Sequence, residues 1–290
     1  YVGDTVNKTS TSAAVAQTVN KVTATASLVS ATNPVLVGTP TILTATVTGY
    51  TPTGNVAFKN GTATLGTVAL SGTGNTRTAT YSATITTAGD KSLTAVYAGN
   101  TNNLTATSTA LTQSVSKSTT TASVSSSLPS ATQGQSVTFT ASVTGYNPSG
   151  NVVFKDGATT LATKALGGTG NTRTATYANT TLGVGEHSIT VDYVGNASNN
   201  TSSSTAIAQT IVGKAPTSTT LASSTNPSIA GQSISLTATV TPTTGPLPTG
   251  NVTFKNGTAT LGTVPLSNGV ASFATNALVT GTRSLTAVYV

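Results

Sequence analysis

Apolar and polar residues alternate along most of the chain, and no stretch has the spacing of an amphipathic helix. Residues 137–143 read Val-Thr-Phe-Thr-Ala-Ser-Val, and residues 43–47 and 234–240 follow the same two-residue period. One apolar face and one hydroxyl-rich face are typical of a half-buried antiparallel strand. Threonine and valine also favour the extended backbone because branching at Cβ restricts χ1. The pattern therefore predicts an all-β protein.

A long internal repeat sets the domain organisation. Tyr1, Tyr97, Tyr193 and Tyr289 follow one another at intervals of 96 residues, each within a similar short phrase. That period is too long for a helical repeat and matches a β-sandwich of roughly 100 residues. We predict a terminal strand that belongs to a preceding or neighbouring domain, two complete domains and a third domain without its last strand. In that order they cover residues 1–21, 22–117, 118–213 and 214–290.

Each repeat has a fixed order of predicted strands. In the first repeat they are expected near residues 24–29, 43–47, 55–60, 64–70, 76–86, 92–97 and 105–115. The dipeptides Asn60-Gly61, Asp156-Gly157 and Asn256-Gly257 predict hairpins whose two turn residues both take positive φ. Seven or eight strands per repeat are what a sandwich needs.

Two phrases carry a resemblance to a known family. Residues 52–61 read Pro-x-Gly-x-Val-x-Phe-x-Asn-Gly, and residues 185–193 read Gly-x-His-x-Ile-x-Val-x-Tyr. These phrases resemble the bacterial Ig-like repeat family, and the resemblance covers the whole chain. It implies tandem Ig-like antiparallel β-sandwiches in a secreted or cell-surface protein such as a stalk, adhesin or filament. It brings no catalytic residues.

Charge and composition exclude several classes of protein. The net charge is +7, from 12 basic and 5 acidic residues, but the basic residues are scattered and only 6% of residues are charged. We therefore expect no nucleic-acid partner. No apolar run reaches the length of a membrane span, which predicts no membrane insertion. The chain has no cysteine, which leaves no disulfide framework and no thiolate metal site.

The sequence offers no catalytic, cofactor or metal residues. Catalysis needs groups that exchange protons or hold a metal, and residues 194–290 contain no acid. The single histidine, His187, is expected as an exposed or edge imidazole in a turn before a strand. A calcium site needs clustered carboxylates, yet Asp4 is replaced by Asn100 and Asn196 in the later repeats. We predict that the protein is not an enzyme.

Two tyrosines are the candidates for contact with a ligand. Tyr50 and Tyr146 lie in Gly-Tyr turns and are expected to be exposed, either for a ligand or for a structural role in the turn. The other repeated tyrosines are predicted to be buried, with hydroxyl groups that bond the backbone. Asn-x-Ser/Thr sequons suggest glycosylation at Asn7, Asn60, Asn103, Asn179, Asn196, Asn199, Asn200, Asn251 and Asn256.

The two ends of the sequence suggest head-to-tail assembly. The predicted final strand near the N-terminus is complementary to the strand that the third repeat lacks, and its assembly residues are Ser12, Ala14, Val15, Ala16 and Val19. Either this strand completes the last domain of another copy, or the chain is part of a longer covalent repeat protein. Two features favour the longer chain: the sequence has no methionine, and it starts and stops at the same point of the 96-residue repeat.

The predicted function is structural. We expect a repeat protein of an extracellular filament or cell-surface stalk, whose partners are copies of itself in a head-to-tail filament. The alternative is an adhesin-type module that recognises a carbohydrate, such as a cell-surface glycan, or a surface protein.

Overall fold

The computed structural model describes residues 1–290 and contains 25 strands and no helix. No helix therefore has the length and apolar character needed to cross a membrane. The predicted fold class is confirmed, because the strands form three successive antiparallel sandwiches. By their contacts the residues divide into two compact units. Unit 1 comprises Tyr1–Pro129, Ser136–Asn179 and Glu186–Gln209, and unit 2 comprises Ser130–Gln135, Thr180–Gly185 and Thr210–Val290.

The first sandwich contains strands β1 to β10. They are Thr25–Ser30, Val35–Leu36, Pro40–Thr48, Asn55–Asn60, Ala63–Ala69, Thr76–Thr84, Lys91–Tyr97, Ala106–Thr107, Leu111–Gln113 and Val115–Ser116. One sheet has the order β1-β3-β6, and the other has the order β5-β4-β7-β8 with β9 also beside β7. The short β10 pairs in parallel with β2. Alternate residues of both sheets, such as Leu43, Phe58 and Leu93, are fully buried and form one core.

The second sandwich repeats this arrangement with strands β11 to β19. They are Thr121–Ser126, Ser130–Thr132, Val137–Thr144, Asn151–Asp156, Thr159–Ala165, Thr172–Asn179, Gly185–Tyr193, Ser202–Ser203 and Ile207–Val212. One sheet has the order β11-β13-β16, and the other has the order β12-β19-β17-β14-β15 with β18 beside β17. Its buried residues include Phe139, Phe154 and Ile189.

The third sandwich contains strands β20 to β25. They are Thr217–Ser223, Ile234–Pro242, Asn251–Asn256, Ala259–Pro265, Val270–Thr275 and Leu285–Tyr289. Its sheets have the orders β20-β21-β24 and β23-β22-β25. No strand lies beside the outer edge of β25, where β9 and β19 lie in the first two sandwiches. Leu285, Ala287 and Tyr289 are consequently only partly buried, whereas Leu93, Ala95 and Tyr97 are fully buried.

A ring pair across each core shows how one methyl group changes the packing. Phe58 stacks on Tyr81 with centroids 5.6 Å apart and an interplanar angle of 24°. Gly66 lies beside this pair, and a Cβ there would overlap the Tyr81 ring. The second sandwich has Ala162 at this place in the register, and its ring pair is tilted to 43°. The added methyl group thus accounts for the tilt.

Three predicted details of the strands are corrected. All three hairpins are present, but in each only the glycine has positive φ, namely Gly61, Gly157 and Gly257, and the residue before it does not. The reason is that Asn60 still pairs with Ala63 in the ladder. The predicted strand at 105–115 is divided into β8, β9 and β10. The strand predicted near the N-terminus is not formed, because residues 8–20 have no neighbouring strand with which to pair, and they are exposed.

Candidate assembly surfaces

Tyr50 and Tyr146 are held by the same side-chain clamp. The Tyr50 amide donates to Asn103 Oδ1, and Asn103 Nδ2 donates to the Tyr50 carbonyl, both at 2.8 Å. Tyr146 and Asn199 form the same two bonds at 2.8 Å. Both asparagines are fully buried. The paired bonds fix the backbone of each tyrosine, because breaking them would leave buried amide groups unsatisfied.

The ring of Tyr146 packs against the first sandwich. It contacts an apolar cluster, which we call the Tyr146 socket, formed by Val35, Val37, Ile85, Ala88 and Val115. The ring lies directly over Gly38, where a Cβ would overlap two of its carbons. Only glycine permits this approach, and Gly38 also has a φ of 79°. Nearby, Ser198 Oγ donates to the Thr86 carbonyl at 3.3 Å.

Tyr50 is at the equivalent place on the first sandwich but is 58% exposed. It lines a recess of about 270 Å³ together with residues 19–22, 101 and 102. The prediction of two exposed tyrosines therefore applies to Tyr50 alone. Tyr146 differs because the first sandwich covers its ring, so it is not free for a ligand in this structure.

The final strands of the first two sandwiches each carry a buried glutamine. Gln113 and Gln209 are fully buried. Gln113 Nε2 donates to the Thr32 carbonyl at 3.1 Å and to Asn33 Oδ1 at 3.2 Å. Gln209 Oε1 accepts from Ser126 Oγ at 2.6 Å. Because a buried amide needs partners, these bonds favour one register of the final strand.

A serine five residues before each glutamine interrupts the ladder in the same way. The Ser108 amide donates to the Ala95 carbonyl at 2.9 Å, and the Ala95 amide donates back to Ser108 Oγ at 3.0 Å. Ser204 and Val191 form the equivalent bonds at 2.8 and 2.9 Å. The final strand is therefore recognised through a serine and a glutamine as well as through its apolar residues.

The third sandwich has an open groove where this final strand lies in the other two. The groove has a volume of about 720 Å³, and its apolar lining includes Leu221, Ile234, Leu236, Leu278 and Leu285. In the first sandwich the amides of Val35 and Val37 donate to the final strand at 3.0 and 2.9 Å. Their equivalents by sequence, Ser228 and Ala230, have no backbone acceptor. The groove thus offers both apolar surface and free amides.

Residues 12–19 carry the pattern of a final strand. With the 96-residue period, Ser12 corresponds to Ser108 and Gln17 to Gln113. In this structure Gln17 Nε2 donates to the carbonyl of its neighbour Thr18 at 3.1 Å. The five predicted assembly residues are exposed, namely Ser12, Ala14, Val15, Ala16 and Val19.

Comparison with known proteins identifies the family. The model of the bacterial Ig-like domain (group 3) matches residues 28–116, 122–212 and 220–290. The chain belongs to this family. The resemblance found in the two sequence phrases is thus confirmed, and the three sandwiches are bacterial Ig-like domains. No curated protein matches the chain.

Several solved structures are similar to this bacterial Ig-like chain. The Escherichia coli adhesin FdeC is 18% identical, with 91% of this chain and 92% of that chain covered and a TM-score of 0.33. The I9–I11 tandem of titin is 11% identical, with coverage of 90% and 94% and a TM-score of 0.32. The fibronectin(III)-like modules of Clostridium thermocellum CbhA are 17% identical, with coverage of 64% and 94% and a TM-score of 0.28.

Two pairs of ionisable side chains connect β14 and β17 in the second Ig-like domain. Lys155 Nζ lies 2.6 Å from Asp192 Oδ2, and this bond, with help from Ser203, lowers the pKa of the Asp192 carboxyl. His187 Nδ1 lies 2.6 Å from Asp156 Oδ2. The predicted turn is wrong, because His187 is part of β17, and its imidazole is not exposed, since the side chain is only 15% exposed. No three histidine or acidic residues cluster as a metal site would require.

The predicted glycosylation sites fall into two groups. Asn103, Asn179 and Asn199 are buried, and their Nδ2 atoms donate to Tyr50, Tyr177 and Tyr146, respectively. A glycan on Nδ2 does not fit these three positions in the folded domain. The remaining sequons have exposed or partly exposed asparagines, and glycosylation there stays a prediction: Asn7, Asn60, Asn196, Asn200, Asn251 and Asn256.

Proposed function

We propose that this chain is a structural repeat unit of an extracellular filament or cell-surface stalk whose units are joined head to tail. The observation that carries the proposal is the match between the open groove of the third domain and the pattern of residues 12–19. The strand that fills the groove would come either from a second copy or from the continuation of a longer repeat chain. Membership of the bacterial Ig-like family supports a location at the cell surface or outside the cell.

The groove and the strand have complementary chemistry. Added strands gain affinity from main-chain hydrogen bonds and register from alternate side chains. With the register of the first domain, Ser12 would bond Ala287, and Gln17 would reach the Thr225 carbonyl. Val15 and Val19 would then point into the groove, as Leu111 and Val115 do in the first domain. A head-to-tail contact of this kind does not close on itself and produces a linear polymer.

The first test is the mass of native material after boiling in denaturant. A species near 28.4 kDa would indicate separate copies joined by strand addition, whereas a much larger species would indicate one long covalent chain. Surface location is tested with an antibody on intact cells. Labelling that requires permeabilised cells would contradict the proposed location.

The joint itself is tested with a peptide of residues 10–21. The peptide should bind the full chain, and a Gln17→Ala peptide should bind at least about tenfold more weakly because the buried amide bonds are lost. A peptide with no measurable affinity for the chain would contradict strand addition.

A further inference from the structure

Tyr50 and Tyr146 have the same surroundings within their own domains. In addition to the asparagine clamp, the linker that precedes each domain pairs with the clamp asparagine through an isolated parallel β-bridge. Val22 bonds the backbone on either side of Asn103 at 2.8 and 2.9 Å, and Ser118 does so around Asn199 at 2.9 and 3.0 Å. The only marked difference is that the first domain covers the Tyr146 ring, while the Tyr50 ring is exposed.

The third domain presents the partner surface that Tyr50 lacks. Gly231 corresponds to Gly38, since each lies four residues after an Asn-Pro pair and has positive φ, of 80° and 79°. A Cβ at Gly38 would overlap the Tyr146 ring, whereas a Cβ at Gly231 would meet no atom within 4 Å. The surface over Gly231 is therefore open, and nearby Ile229 is 78% exposed.

One component of the socket is missing from the third domain and present beside Tyr50. The Tyr146 socket includes Val115 of the final strand, which is 4% exposed. The third domain has no such strand. The residue that corresponds to Val115 in the N-terminal segment is Val19, and it lines the same recess as Tyr50. A neighbour that supplied the strand would thus bring both the missing valine and the tyrosine.

We propose that Tyr50 and Val19 form a docking surface for the third domain of a second copy, with the Tyr50 ring seated on Gly231 as the Tyr146 ring is seated on Gly38. This inference rests on the proposed head-to-tail joining and identifies a second contact in that joint. The site is incomplete in one copy, because the glycine belongs to one chain and the valine and tyrosine to the other. The contact of the Tyr146 ring with Gly38 within the chain shows the geometry that we expect for Tyr50 on Gly231.

The absence of cysteine allows a direct test by cross-linking. Tyr50→Cys and Gly231→Cys are placed on separate full-length chains, mixed and oxidised. We expect a disulfide-linked pair of chains, formed at least about tenfold more than with Gly257→Cys as the partner. Gly257 is a matched control because it is an open hairpin glycine of the same domain with a φ of 59°. Gly38→Cys with Tyr146→Cys in one chain is the positive control.

A second measurement separates this contact from strand addition. Sedimentation equilibrium of the full chain should show self-association that Tyr50→Ala weakens at least about tenfold. Tyr50→Phe should retain it, since the hydroxyl group of Tyr146 makes no hydrogen bond in its socket. Thermal unfolding of the dilute Tyr50→Ala chain should be unchanged, which separates a weakened interface from a damaged fold.

Each alternative result has a distinct meaning. Association that the 10–21 peptide inhibits but Tyr50→Ala leaves unchanged, without the specific cross-link, overturns the docking surface and leaves strand addition standing. Chains that neither associate nor bind the peptide overturn both proposals. Glycan binding that Tyr50→Ala abolishes without an effect on association also overturns the docking surface, and favours an adhesin.

Discussion

Replacing Gln113 with alanine tests whether the buried glutamine stabilises the final strand. The two protons of Nε2 are shared among acceptors on Thr32, Asn33 and Ser114 at 3.1 to 3.2 Å, and these bonds together contribute about 2 kcal/mol net. The lost Cγ methylene group adds roughly 0.8 kcal/mol, and the cavity that remains adds about 1 kcal/mol. In the opposite direction, Gln113 Oε1 is buried without a partner, and removing it returns about 1–3 kcal/mol. The balance is a loss of about 1–3 kcal/mol.

Hydrogen exchange measured by mass spectrometry reports this loss domain by domain in the full chain. Amides of β7 should exchange about 5- to 150-fold faster in Gln113→Ala, while amides of the second domain serve as the internal reference. Gln113→Met retains the volume and should lose only about 1 kcal/mol. Gln17→Ala is the matched exposed control and should change neither domain. A less than threefold change in β7 for Gln113→Ala would refute the reasoning.

Three further substitutions follow from the same structure. Gly66→Ala should tilt the Tyr81 ring and cost at most about 1 kcal/mol in urea unfolding, because reduced freedom of the unfolded chain offsets the strain. Asn103→Ala should cost about 1–3 kcal/mol and accelerate exchange of the Tyr50 amide, since both clamp bonds are lost. Asp192→Asn should lower stability at pH 7 by at most about 1 kcal/mol. The lowered pKa of Asp192 means that its carboxylate stabilises the fold above its ordinary pKa of about 3.9 and loses this effect as the pH falls through the lowered value. The unfolding temperatures of the two proteins should therefore converge as the pH falls below about 4, and equal stabilities at pH 7 would contradict the role of the ion pair.

Most of the fold could be predicted because alternation reports burial directly. Leu43, Phe58 and Leu93 lie on the apolar faces that the two-residue period indicates, and all three are fully buried. The division of the last strand could not be predicted in this way. It depends on the Ser108 hydroxyl, which accepts from Ala95 in place of a backbone carbonyl. Such a side-chain hydrogen bond does not change the alternation of apolar and polar residues, so the sequence pattern does not reveal it.

The assembly surfaces were only partly predictable. The sequence places Tyr50 and Tyr146 in equivalent turns, and only the contact with Gly38 decides which ring is covered. A glycine in a loop gives no sign of that long-range contact. The buried glutamine did leave a signal, because Gln113 shares the period of Leu111 and Val115 and so lies on the apolar face. A polar amide at a core position indicates a specific partner.

The two proposed contacts of the joint have different physical roles. Strand addition would supply most of the affinity, since it would combine a ladder of hydrogen bonds with buried apolar residues. On its own it would leave the orientation of the two domains variable, because the linker after Val19 could bend. With the strand bound, Tyr50 would be held near Gly231 at a high effective concentration, so even a weak contact would become occupied. The tyrosine would then restrict the orientation of the joint, as Tyr146 does within the chain. A stalk that transmits load needs both properties, because affinity keeps its units together and a fixed orientation keeps them extended.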